Sequence, residues 1–176
     1  IGSIDTFNNS ETTSLLTNLG SIDTLTNSGT VSSFNNLGTN TLLSNTGNLG
    51  TLANTGGITE INNSGNISTI RNVGGSIGDI INSDTMGLLS NSGAITSVSN
   101  SGTITTLNNL SEILSVANSG TITTLNNLES GLEFSETLPV NYNVIFRNQG
   151  ANYGKLFVTS ASGSTELNIA SISNIR

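Results

Sequence analysis

The sequence predicts an all-β fold, a parallel β-solenoid (β-helix) of nonapeptide repeats with 18 residues per turn and a C-terminal β cap. Three observations carry that prediction. Asparagine recurs every nine residues through the first three-quarters of the chain. Apolar residues keep a fixed phase to it, three apart and then six apart. The remainder is Gly, Ser, Thr and Asn, residues that favour turns and extended chain over helix.

The asparagine series is Asn9, Asn18, Asn27, Asn36, Asn45, Asn54, Asn63, Asn72, Asn82, Asn91, Asn100, Asn109, Asn118 and Asn127. It slips once, by a single residue at Gly74-Gly75. A fixed short period marks a stack of near-identical units. The unit is Gly-x-Ile-x-x-Leu-x-Asn-x, with 14 copies between Gly2 and Leu128. Its third position is apolar except at Thr13 and Asn40, and its sixth is apolar in every copy, from Phe7 and Leu16 to Val116 and Leu125. Beside the two breaks stand Leu15 and Leu42, which are expected to compensate for the missing core side chain.

Helix fails on periodicity. Spacings of three and then six drift around a 3.6-residue wheel. A Gly in nearly every unit costs about 1 kcal/mol each inside a helix. Strand suits Ile, Val, Thr and Phe. Leu, Asn, the next Gly and the next Ile stand two apart and share one face. The two residues between Ile and Leu break the alternation and mark a bend; Asn-Ser-Gly marks another.

One such unit is too short to bury its own apolar side chains, so turns must stack, about 4.8 Å apart. Ile and Leu then form internal columns, each buried aliphatic contributing about 1.5–3 kcal/mol. The Asn column becomes an amide ladder, a structural device rather than a catalytic one. The ninth position fixes the turn length. Odd copies end on Ser10, Ser28, Thr46 and their successors; even copies end mostly on large apolar residues such as Leu19, Leu37, Val73, Leu110 and Leu128. The segment Gly102–Leu110 recurs identically as Gly120–Leu128. The true period is therefore two nonapeptides, giving about seven turns and a rod about 30–35 Å tall. Three nonapeptides per turn, a triangular coil, is the second choice, because it scatters the Leu and Ser columns.

Residues 1–128 form the repeat solenoid and 129–176 a distinct C-terminal segment. The latter holds the only Pro (Pro139), the only Lys (Lys155), both Tyr and three of the five Phe. Residues 141–147 alternate as a strand with Tyr142, Val144 and Phe146 on one face; 154–160 and 165–170 read as two more strands around a turn at 160–164. This segment reads as a cap or the start of a differently patterned coil, with a separate binding module as the alternative.

Composition excludes several functions. The net charge is −7 with four basic residues, so no basic patch exists to neutralise phosphates and no nucleic-acid partner is expected. Charged residues make up only 9%, which allows disorder, but the phased Ile and Leu argue against it. There is no Cys and no His, which removes disulfides and Ser/His or Cys/His nucleophile pairs. No apolar run approaches the roughly 20 residues of a membrane span. No signal-peptide pattern opens these residues; the start at Ile1 inside a repeat and the single Met86 read as a fragment of a longer protein.

No catalytic, cofactor-binding or metal residue is expected. Asp5 and Asp23 lie 18 apart and should stack, as should Glu60 and Asp79 across the slip. Two lone carboxylates fall short of the 6–8 oxygens calcium takes. The nine-residue calcium-roll motif has a ligand Asp where this chain has Asn. Rows Thr12/Ser14, Thr30/Ser32, Thr103/Thr105 and Thr121/Thr123 suggest an ordered hydroxyl array of the ice-binding kind, but Asn48, Gly50, Asn66 and Gly87 interrupt it. Asn-x-Ser sequons occur at the frequency an Asn/Ser-rich chain produces by chance.

The Gly-x-Ile-x-x-Leu-x-Asn array resembles the repeat regions of bacterial autotransporter passenger domains, including adhesin-like and cytotoxin-like members. The stretch Leu138-Pro-Val-Asn-Tyr-Asn-Val-Ile-Phe146, then Asn152-Tyr-Gly-Lys-Leu156, is similar to segments that follow such arrays. The resemblance implies a right-handed parallel β-helix displayed outside a Gram-negative cell. The function expected is a non-enzymatic structural or adhesive stalk or scaffold of an extracellular surface protein, with glycans, surface proteins or copies of itself as partners and no cofactor. The alternatives are a subunit of an extracellular filament and a fragment of a polysaccharide-active β-helix.

Overall fold

Each nonapeptide folds into one seven-residue strand covering its second to eighth positions and ending on the ladder asparagine. The computed structural model describes residues 2–146 and 153–170. The odd copies give β1 (Ser3–Asn9), β3 (Ser21–Asn27), β5 (Thr39–Asn45), β7 (Gly57–Asn63), β9 (Ser76–Asn82), β11 (Ala94–Asn100) and β13 (Glu112–Asn118). The even copies give β2 (Thr12–Asn18), β4 (Thr30–Asn36), β6 (Asn48–Asn54), β8 (Asn66–Asn72), β10 (Thr85–Asn91), β12 (Thr103–Asn109) and β14 (Thr121–Asn127). Four more strands follow: β15 (Leu132–Thr137), β16 (Asn141–Val144), β17 (Leu156–Ser162) and β18 (Glu166–Ile169).

Odd strands pair only with odd, even only with even, and every pair is parallel, giving two nine-stranded sheets. Ile104 faces Ile122 and Asn109 faces Asn127 across neighbouring strands, so one turn is 18 residues. The triangular coil is excluded. The fold is the all-β parallel solenoid expected, with no helix among the described residues.

The expected bend also appears. Along a strand the pairing skips the fourth position: Ile4 matches Ile22 and Thr6 matches Thr24, with Asp5 and Asp23 left out between them. The third residue is buried, the fourth exposed, the fifth half-buried and the sixth buried, as in Ile104–Leu107. Two outward residues in succession turn the strand and bring positions 3 and 6 into the same core.

That core runs unbroken from Ile22 and Leu25 to Phe134 and Tyr142. The third and sixth positions fill it, with two corrections. In the first turn Ile4 is 46% exposed and Phe7 and Leu16 are half-buried, since no turn of the described chain lies beneath them. Leu15 and Leu42 do not compensate for Thr13 and Asn40. Leu15 is 59% exposed and Leu42 half-buried, because the fifth position points out past the bend. The lost apolar residue is not replaced: Asn40 itself enters the core at 1% exposure.

The corners need glycine where turns touch. A Cβ on Gly38 would stand 1.9 Å from the carbonyl oxygen of Gly20, one turn below. The register slip is absorbed elsewhere. Gly74 takes a left-handed φ of 72°, and a Cβ there would meet nothing within 4 Å. The extra residue bulges into solvent, and Asn54–Asn72–Asn91 stay stacked.

The C-terminal segment extends both sheets: β15 and β17 add to the odd sheet, β16 and β18 to the even one. Tyr142 is buried as expected and Val144 packs against the core, but the strand ends at Val144. Ile145 is buried rather than Phe146, which forms an isolated bridge with Tyr153, their rings stacked 5.8 Å apart. Arg147 and Asn152 lie outside the described residues. The strand expected at 154–160 begins two residues later, at Leu156. The following turn is made by Gly163 at φ 89°.

Candidate functional site: the amide ladders and the outer faces

The asparagines form two ladders, one at each corner between the sheets. In the odd ladder Asn9 Nδ2 donates to Asn27 Oδ1 at 2.8 Å, and the chain continues through Asn45, Asn63, Asn82 and Asn100 to Asn118 at 2.7–2.8 Å. In the even ladder Asn18 donates to Asn36 at 2.8 Å, then through Asn54, Asn72, Asn91 and Asn109 to Asn127. The link from Asn91 to Asn109 is the longest, at 3.5 Å. All 14 are buried, Asn9 being the most exposed at 7%.

Every link runs the same way: the amide of the earlier turn donates to the carbonyl of the later one. The reason lies in the corner backbone. The Asn main-chain carbonyl already accepts from the turn above, as Ser28 N and Gly29 N donate to Asn9 O. The corner carbonyls of the next turn then face down, and Nδ2 serves them as well: Asn27 Nδ2 donates to Asn48 O at 3.0 Å and Asn100 Nδ2 to Thr121 O at 3.2 Å. One side chain thus satisfies polar groups of two turns, which buried backbone requires.

The ladders are closed at both ends by other groups. At the first turn Thr13 Oγ1 donates to Asn9 Oδ1 at 2.8 Å, and Gly20 N donates to Asn18 Oδ1 at 3.1 Å. At the far end the odd ladder meets Glu136, which stands opposite Asn118 with φ 74°; Asn118 Nδ2 donates instead to Thr137 O at 2.7 Å. The even ladder ends under an aromatic lid. Asn127 Nδ2 donates to the Tyr142 hydroxyl at 3.2 Å and to the carbonyls of Glu129 and Lys155. Burial pushes the Tyr142 phenol above its ordinary value, and the Asn127 hydrogen bond partly offsets this. Thr13, a break in the apolar pattern, was legible as a lost core residue but not as a cap.

The outer faces differ in charge. Seven of the acids lie on odd-sheet strands: Asp5, Asp23, Glu60, Asp79, Glu112, Glu133 and Glu136. The even-sheet strands carry only Arg71 and Glu166. The parity of the copies could have revealed this segregation. Of the two expected carboxylate pairs, Glu60 and Asp79 are register partners, and Asp5 and Asp23 sit on adjacent strands. Each acid of the first pair has a neutral partner: Asn62 Nδ2 donates to Glu60 Oε1 at 2.5 Å and Ser97 Oγ to Asp79 Oδ1 at 2.6 Å. Among the described residues no three acidic side chains gather where an ion could sit.

The even face carries neutral groups instead. Asn143 Nδ2 donates to Asn126 Oδ1 at 2.7 Å, and Asn126 Nδ2 to Asn108 Oδ1 at 2.6 Å, a short outer ladder running opposite to the inner ones. On the odd side a groove of about 210 Å³ is lined by Ser44, Asn62, Asn63, Ser64, Ile81 and Ser83. Hydroxyls, amides and one exposed isoleucine suit weak hydrogen bonding to a neutral polar ligand. They supply no acid–base pair of the kind proton transfer needs.

Comparison with known proteins returns no matching family model, no similar curated protein and no similar solved structure.

Proposed function

We propose that the chain is a non-enzymatic structural or adhesive element, a rigid stalk or scaffold of an extracellular bacterial surface protein. The observation that carries the reading is the continuity of the two ladders and the core between them, from Asn9 to Tyr142. Each turn is bonded to the next through both sheets and both corners, so bending or local opening must break several bonds at once. The resemblance of the repeat to autotransporter passenger domains supports placement at a Gram-negative surface. The neutral even face and the groove around Asn62 supply the repeated weak sites from which an array gains avidity toward glycans or surface proteins.

Two measurements test this. The purified chain, incubated with proteinase K, should survive as an intact core, and it should retain glycans on an array only when immobilised densely. Rapid degradation would remove the stalk; failure to bind any glycan or cell surface would remove the adhesive part. Incubation with acidic and neutral polysaccharides addresses the enzyme alternative. Release of reducing ends or unsaturated products, lost in Asp23→Asn or Glu60→Gln, would replace the structural reading with a polysaccharide-active one.

A further inference from the structure

The seventh position of each odd repeat strand faces outward beyond the bend, and these positions stack. Ser44 faces Asn62, Asn62 faces Ile81 and Ile81 faces Ser99. The column continues below with Thr26 and above with Ala117. Ile81 is its one large apolar side chain, 43% exposed between polar neighbours. The fold does not ask for it, since serine serves at the same place in Ser44 and Ser99. Beside Ile81, the column and the odd corner bound the groove of about 210 Å³; Ser64 and Ser83 line its corner side, with buried Asn63 between. Its polar groups are open to a ligand. Ser44 Oγ and Ser64 Oγ have no hydrogen-bond partner among the described residues. Ser83 Oγ donates to Asn63 O at 3.1 Å and keeps its lone pairs. Asn62 Nδ2 is steadied by Glu60 Oε1, while Asn62 Oδ1 accepts from no group among the described residues.

We propose that this groove binds one neutral pyranose ring of a glycan, with the C–H face of the ring on Ile81 and its hydroxyls among Ser44, Asn62, Ser64 and Ser83. The proposal rests on the adhesive reading and gives it a specific site. The volume falls below the roughly 300–1,000 Å³ of sites for drug-sized ligands, which leaves room for a single ring. A pyranose carries an aliphatic face and a rim of hydroxyls that both donate and accept. Ile81 matches the face; serine hydroxyls and an amide, which also do both, match the rim. Charge excludes an acidic sugar. Glu60 and Asp79 stand two residues before Asn62 and Ile81, on the same outward side, and no base lines the groove. An inorganic cation is the poorer occupant. Each of those acids already accepts a hydrogen bond, and no third acid joins them among the described residues. An open groove with few contacts gives millimolar affinity for one ring, which dense display raises to firm retention.

The test titrates the chain with methyl β-D-glucopyranoside, methyl β-D-galactopyranoside and methyl α-D-mannopyranoside, following backbone amide NMR shifts. Glucuronate and glycerol serve as the anionic and the ringless control. At least one neutral pyranoside should give saturable shifts confined to Ser44 and to residues 62–64 and 81–83, with both controls silent. Ile81→Ser should weaken binding about ten-fold. Ser64→Leu should fill the groove and remove binding; the corner tolerates that side chain, because Leu37 stands exposed at the ninth position of an even copy. Ser119→Leu, the same change at a later odd corner, should bind like the parent. Glucuronate binding as tightly as the neutral sugars would overturn the proposal. So would silence of all three pyranosides, or parent-like binding by Ile81→Ser or Ser64→Leu. If the chain still holds glycans on a dense array after any of those results, the adhesive reading stands without this groove; if it holds none, both fall.

Discussion

The Tyr142 hydroxyl accepts a hydrogen bond from Asn127 Nδ2 at 3.2 Å, so a phenol ends the amide column that begins at Asn18. Burial raises the Tyr142 pKa above 10.0, which makes this end of the rod sensitive to alkali. Below pH 10 the phenol is protonated in both states. Above it the unfolded chain releases the proton first and binds fewer protons than the folded one, so stability falls as pH rises toward the folded pKa. Tyr142→Phe should lose less stability than the parent between pH 9 and 11, measured by urea unfolding. Its cost at neutral pH should be under about 1 kcal/mol, because two carbonyls still accept from Asn127.

Inside the ladder the same kind of deletion is more damaging. Asn100 accepts from Asn82 and donates to Asn118, Gly102 and Thr121. Asn100→Ala leaves those groups unpaired in a buried corner and should cost about 1–3 kcal/mol. Thr105→Ala, on an exposed outward position, should cost under about 0.5 kcal/mol. Similar shifts in the denaturation midpoints of the two variants would mean that the ladder amides are exchanging with solvent.

Asn40 offers the opposite result. Its Nδ2 donates to Ile22 O at 3.1 Å, but its Oδ1 is buried with no partner. Asn40→Val removes the orphan and continues the column between Ile22 and Ile58. The melting temperature should rise, with a gain of about 1 kcal/mol. A fall would show that Asn40 holds its strand through the Ile22 and Leu42 carbonyls more firmly than its orphaned oxygen weakens it.

Two glycines separate steric need from tolerance. Gly38→Ala forces a methyl onto the Gly20 carbonyl, which only strand separation relieves, and should destabilise by more than about 2 kcal/mol. Deleting Gly74 restores the ordinary corner and removes a left-handed residue. The deletion should leave the circular dichroism intact and the midpoint equal to or above that of the parent. An unfolded deletion variant would mean that the offset at this corner is required by the turns above it.

Chelation should leave both the β-sheet circular dichroism and the thermal midpoint unchanged, since the Glu60 and Asp79 carboxylates are held by Asn62 and Ser97. A drop in midpoint on adding a chelator, restored by calcium, would make the stacked acids of the odd sheet ligands.

Most of the repeat was legible because its period does two jobs at once. The spacing of Ile, Leu and Asn names the inward columns, and the alternation of Ser10 with Leu19 names the turn length. Leu15 and Leu42 misled because apolar character was read without direction: the bend that puts Ile104 and Leu107 inside also turns the fifth position outward. The ladder ends were not legible. Thr13 and Tyr142 act there through contacts across 4 and 15 residues that no repeat announces. In the C-terminal segment the alternation around Tyr142 pointed to the right strand, but with the repeat gone nothing in the pattern marked its end at Val144.

The register of β12 on β14 has an evolutionary consequence. The stretch Asn100–Leu110 is repeated letter for letter as Asn118–Leu128, and the two copies lie one turn apart. Unequal recombination between the corresponding stretches of gene would add or remove 18 codons, one complete storey. The product would keep both amide columns and both outer faces in phase. Rod height can therefore change between generations in steps of about 4.8 Å without a new fold having to be found.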